Sequence, residues 1–251
     1  NYPEKIVKLY KDAVDAGSDI FLTNSFGSNA LRLKLHSSEN KAFKLSRLSA
    51  EIAREVADAH NKLVFVAGSV GPTGEIMQPI GNLTHELAVE VFHEQAQGLK
   101  EGGADLLWLE TISAPEEFKA AAEAFSHVQL PWVGAMSFDT AGRTMMGTSP
   151  AAMVDLISSI PNKPIAFGAN CGTGASDLLR TVQDFAKCSP KSILIAKGNA
   201  GIPKYIDGQI HYDGTPELMA KYAIMARNSG AKIIGGCCGT KTEHLLSMRV
   251  A

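Results

Sequence analysis

The sequence is poor in cysteine, in long apolar runs and in charge of one sign, and each shortage excludes a class of protein. Four cysteines in 251 residues, at 171, 188, 237 and 238, are too few and too unevenly placed for the disulfide framework of a small secreted domain, so a reducing, cytoplasmic setting is expected. No segment reaches the roughly 20 consecutive apolar residues of a membrane span, and no basic start leads into an apolar stretch as in a secretory leader. A soluble chain with no membrane partner is expected. Lys and Arg number 24 against 26 Asp and Glu, a net charge of -2, and the basic residues are dispersed rather than striped. That argues against a nucleic-acid surface and for a small-molecule partner. The chain opens on Asn1 rather than methionine, so an incomplete N-terminus is expected.

What is present is an alternation. Short β-rich apolar runs at 19–24, 63–68, 105–110, 132–137, 164–170, 192–197 and 232–236 are separated by helical periodicity at 38–60, 84–102, 114–125, 150–159, 175–186 and 216–230. Gly17, Gly103 and Gly230 stand where helices should end. This is the pattern of βα units around a parallel sheet. A length of about 250 residues is usual for a (β/α)8 barrel. Seven runs fall one short of that barrel. The expectation is an α/β TIM barrel lacking its first strand in this chain, with an open doubly wound sheet as the alternative. With no linker or repeat in view, residues 1–251 read as a single domain, and oligomeric state is left open. Polar and glycine residues gather after almost every run, where a barrel enzyme builds its site.

Gly235-Gly236-Cys237-Cys238-Gly239-Thr240 is the most informative of these clusters. Successive side chains of a strand point to opposite faces, so two neighbouring thiols can share one ion only where the backbone bends, and the flanking glycines permit a bend. Together with Cys171 they suggest a zinc site of three thiolates, with one tetrahedral position open for a substrate thiol. Redox pairing of adjacent cysteines would need a strained ring. Cys188 has no partner motif and reads as a space-filling buried cysteine.

Asn170-Cys171 with the 235–240 motif, Thr23-Asn24-Ser25-Phe26-Gly27, Gly68-Ser69-Val70-Gly71-Pro72-Thr73-Gly74 and Asn199-Ala200-Gly201 closely resembles the homocysteine S-methyltransferase family. The resemblance runs from about Asp15 to the end. It implies a zinc-dependent barrel that binds homocysteine through sulfur and methylates it to methionine, with Cys171, Cys237 and Cys238 as zinc ligands. It also implies that Glu110 holds the amino group of homocysteine, a role suited to an acid closing the apolar run 106–109. Ser69, Thr73, Asn170 and Asn199 are candidates to hydrogen-bond the amino acid or to shape its loops. The family's first strand and its Asp-Gly-x-Thr-Gly loop have no match between Asn1 and Asp19.

The stretches 137–147, 172–177 and 212–219 are similar to bacterial betaine-homocysteine methyltransferases, which implies betaine as the methyl donor. A quaternary ammonium calls for aromatic faces, and Phe26, Trp108 and Phe138 are available. Gly27 departs from the animal betaine enzymes, which place tyrosine there, and matches corrinoid-linked methionine synthases. The alternatives are the homocysteine-binding component of a corrinoid and folate system, a sulfonium donor (S-methylmethionine or S-adenosylmethionine), a non-catalytic zinc and homocysteine module, and a lyase using Lys197 as a Schiff-base amine.

Overall fold

The structure, a computed structural model, describes residues 2–139 and 141–251; Asn1 and Thr140, which fall within stretches quoted above, lie outside it. The strands are β1 (Ile20–Leu22), β2 (Phe65–Val70), β3 (Leu106–Ile112), β4 (Trp132–Met136), β5 (Ala166–Cys171), β6 (Leu194–Gly198), β7 (Lys204–Ile206), β8 (Gln209–His211) and β9 (Ala231–Gly236). All but β7 and β8 form one parallel sheet in the order β1-β2-β3-β4-β5-β6-β9. This is the βα architecture of a TIM barrel with one strand fewer than eight, as the sequence implied. The seven anticipated runs are these seven strands, displaced by one or two residues at their ends. No helix among the described residues is long and apolar enough to cross a membrane.

The chain divides into two compact units. The first runs to Gly134 and takes in Ile160–Ile165. It holds β1 to β3, the start of β4, and helices α1 (Pro3–Asp15), α2 (Ala30–Lys34), α3 (Ala42–Asp58), α4 (His85–Glu101) and α5 (Pro115–Val128). Proline at the first turn opens α1 and α5, and the Thr84 side chain accepts from the Leu87 amide to cap α4. α3 buries Ala42, Ser46, Ser49, Ala50, Ala53, Val56 and Ala57, a helical stripe of small residues. α4 meets it at glycine: a Cβ on Gly98 would lie 2.5 Å from the Phe43 carbonyl oxygen, and one on Gly102 would lie 2.3 Å from that of Arg47. Gln95, on the same helix, is fully buried and donates to the Ser25 carbonyl at 2.7 Å. Tyr10 of α1 is buried and bonds Asn24 and Ser49, tying the helix to the loop after β1.

The second unit comprises residues 135–159 and 166–251. It contains the end of β4, then α6 (Pro150–Ser159), β5, α7 (Ala175–Cys188), β6, the β7–β8 hairpin, α8 (Pro216–Asn228), β9 and α9 (Thr242–Val250). Gly17, Gly103 and Gly230 take φ of 90°, 92° and 105° just past their helices, as expected. The hairpin was not anticipated, although its signal is in the chain. Asp207-Gly208, both with positive φ, is the two-residue turn preferred between antiparallel strands.

Candidate functional site

The sheet delivers the cysteines to one level. Cys171, the last residue of β5, is in register with Gly198 of β6, which is in register with Gly236 of β9. Cys171 adopts φ 56° and Gly172 follows at φ 74°, so the chain leaves the strand through two successive left-handed residues. A cysteine held there is strained by on the order of 1 kcal/mol, the kind of cost that marks functional positions. Beyond β9 the Cys237 amide donates to the Gly198 carbonyl at 2.7 Å, and the Thr240 amide closes a turn back to the Cys237 carbonyl at 3.2 Å. Gly239, third in that turn, has φ 77°, the geometry of a type II turn. The turn supplies the bend that lets adjacent thiols serve one centre.

The Sγ atoms of Cys171, Cys237 and Cys238 lie within 4.8 Å of one another. Tetrahedral zinc, with bonds of about 2.3 Å to sulfur, separates its ligand sulfurs by about 3.8 Å. The Cys171–Cys238 separation of 3.7 Å matches, whereas Cys171–Cys237 at 2.8 Å is closer than two ligands of one ion sit. The all-sulfur donor set on two loop ends fits zinc, with that one pair opening to admit it. Hydrogen bonds from Cys171 and then Cys237 pull the Cys238 thiol well below the usual range. The same contacts, Cys237 first, push Cys171 up. The cluster therefore gives up its first proton readily and its last only with difficulty, as three sulfurs sharing one space must.

Around this cluster Asn170 is fully buried, with Nδ2 3.8 Å from the Cys237 sulfur. Asn199 donates to the Gly172 carbonyl at 2.9 Å and accepts from the Cys238 amide at 3.0 Å. Lys197 is buried on β6 and engaged with its surroundings. Tyr212 opens the 212–219 stretch quoted above but was given no site role there. It packs on Gly239, where a Cβ would come within 2.3 Å of its ring, and burial first, then the Cys238 charge, raises its hydroxyl pKa. Beyond that stretch, its sequence signal was an aromatic among the polar residues before α8. Cys188, expected to be buried, is exposed, because α7 runs two residues past the anticipated end and carries it to the surface.

In the other unit Glu110, on β3, is 6% exposed and accepts from the Ser69 hydroxyl at 2.6 Å. Ser69 is itself held from three sides. Its amide donates to Thr23 Oγ1 at 2.9 Å, and its carbonyl accepts from Ser25 Oγ at 2.7 Å and from Gln95 Nε2 at 3.3 Å. Thr111, directly after Glu110, has φ 63°, another left-handed residue near a strand end. Thr73 is engaged elsewhere. Its amide and hydroxyl donate to Glu117 Oε1 at 2.8 and 2.6 Å. Burial raises the Glu117 carboxyl pKa against the pull of those two bonds. Glu117 was missed in the sequence because an acid in the first turn of a helix is ordinarily read as a dipole complement.

Parallel βα units with a three-thiol cluster at the strand ends define a barrel-type chain with a group of thiols that could hold a soft metal. The chain belongs to the homocysteine S-methyltransferase family, whose model matches residues 1–251. Among solved structures it resembles the homocysteine methyltransferase MmuM of Escherichia coli. The oxidized form matches at TM-score 0.84 and the metallated form at 0.82, each at 23% identity and covering 100% of this chain and 85% of that one. Dihydrodipicolinate synthase DapA-2 of Bacillus anthracis shares the fold more distantly, at TM-score 0.54 and 16% identity, over 99% of this chain and 66% of that one.

Proposed function

We propose that this protein transfers a methyl group to the thiol of homocysteine to give methionine, with zinc held by Cys171, Cys237 and Cys238, in the cytoplasm and as one barrel domain. The observation that carries the reading is the three-thiol cluster in a chain of this family. Zinc supplies Lewis acidity that keeps a thiol ionised at neutral pH. The loops after β5 and β9 fix where the sulfur lies, and Glu110, oriented by Ser69, receives the ammonium group. The sulfur lone pair attacks the donor methyl carbon, the carbon–nitrogen bond breaks with its electrons going to nitrogen, and the thiol proton passes to solvent. Orientation and thiolate formation carry the rate, with no general base.

Betaine is the donor we favour. Of the three aromatic candidates, Trp108 and Phe138 are buried, and the Phe138 ring packs edge-on against Phe185 at 5.5 Å. Phe26, 37% exposed, is the face left for a quaternary ammonium. The experiment is proton NMR of the zinc-loaded protein with homocysteine and betaine. Methionine and dimethylglycine appearing in equal amounts support the proposal; intact betaine beside a zinc-loaded protein refutes that donor and directs the assay to a methylated corrinoid or a sulfonium.

A further inference from the structure

Cys171 ends β5 and Cys237 and Cys238 follow β9, yet the strand between those two, β6, contributes no sulfur. Its contribution is Asn199, the residue after the strand. Asn199 is 4% exposed, and both ends of its amide are used: Nδ2 donates to the carbonyl of Gly172, next to Cys171, and Oδ1 accepts from the Cys238 amide. The backbone on either side reinforces it, with the Cys237 amide donating to the Gly198 carbonyl and the Ala200 amide, at 2.9 Å, to the Cys238 carbonyl. Asn199 is thus a side chain tied to both sulfur-bearing loops. It also holds the Gly172 carbonyl just where the chain passes through its two left-handed residues.

We propose that Asn199 is a positioning residue of the metal centre, a strut that sets the spacing of the Cys171 loop from the Cys237–Cys238 turn and so sets metal affinity. The inference rests on the metal reading of the thiol cluster. An amide meets the requirement because it carries a donor nitrogen and an acceptor oxygen on a single carbon. A carboxylate accepts from the Cys238 amide but turns a second acceptor on the Gly172 carbonyl. A leucine offers neither bond and leaves two part-buried backbone groups without the partner Asn199 gives them. Partners of this kind typically govern metal affinity by about 10- to 100-fold.

The test is competition for zinc between the whole protein and a chromophoric chelator, for the wild type, Asn199→Asp and Asn199→Leu. The thiolate-to-cobalt absorption of the cobalt-substituted proteins and the urea midpoint of each metal-free protein are recorded alongside. The expected order of affinity is wild type, then Asp about 10-fold weaker, then Leu about 100-fold weaker, with shifted cobalt bands and metal-free midpoints that do not account for the loss. Wild-type affinity and spectrum in Asn199→Leu would overturn the strut, as would the same result in Asn199→Asp should the leucine variant fail to fold. If the wild type itself takes up no zinc, it is the metal reading that has failed; zinc bound equally by all three proteins removes the strut alone.

Discussion

The thiol centre and the acid pocket around Glu110 are built by different means. The thiol centre is made of backbone geometry: a left-handed cysteine, a type II turn and amide-to-carbonyl bonds from the segment 198–200 bring three sulfurs together. The acid pocket is made of side chains drawn from far along the chain, with Ser69 reaching Glu110 across 41 residues and Gln95 reaching the Ser25 carbonyl across 70. A site of the first kind tolerates change in neighbouring side chains but not in its ligands. One of the second kind should be graded, losing function by degrees as members of its network are removed.

That contrast can be broken most forcefully at the ligands. Replacing any one of Cys171, Cys237 or Cys238 by alanine is expected to abolish zinc retention and turnover together, read by metal analysis and methionine formation; a variant that kept both would leave the ligand set. Glu110→Gln should come next. It should keep zinc, but losing the charge proposed to meet the ammonium should raise the homocysteine KM by roughly 10- to 100-fold, the scale of about 1.5–3 kcal/mol for a charged hydrogen bond. An unchanged KM would place the amino group elsewhere. Gly98→Ala presses a methyl against the Phe43 carbonyl and should lower the urea stability by about 1–3 kcal/mol through overpacking, while a neutral result would mean that α3 and α4 can part freely.

The smallest expected effect is at Glu117, and it depends on pH. Burial holds its folded pKa above the unfolded value, so its contribution is full below the unfolded pKa and is lost as pH rises through the folded one. Glu117→Gln keeps an acceptor for Thr73 and removes the titration. The variant's stability should therefore fall less than the wild type's as pH rises above about 4, with a difference within about 1 kcal/mol at neutrality by urea midpoint. Parallel curves would mean that the Glu117 carboxyl does not carry that pH dependence.

The two regions also differ in how far the sequence disclosed them. Cysteine is rare and its chemistry narrow, so Cys237-Cys238 beside glycines, with Cys171 at an earlier strand end, announced a cluster that the register of β5, β6 and β9 then assembles. β2 to β6, largely buried on both faces, read as unbroken apolar runs, which made most of the seven-stranded sheet legible. Hydroxyl and amide residues carry no such mark. Thr73 and Ser69 looked alike in one loop, yet one serves Glu117 and the other Glu110, a choice made by the packing of α5 and β3 on that loop and not by local sequence. The β7–β8 hairpin lay behind a six-residue exposed pair of strands too short for periodicity to register, although its Asp-Gly turn was readable.

X-ray absorption at the zinc edge of the loaded protein, before and after adding homocysteine, tests the central claim most directly. Three sulfur neighbours at about 2.3 Å rising to four on addition is the predicted result. A sulfur count that does not change while homocysteine is bound, or a protein that cannot be loaded with zinc, would contradict it.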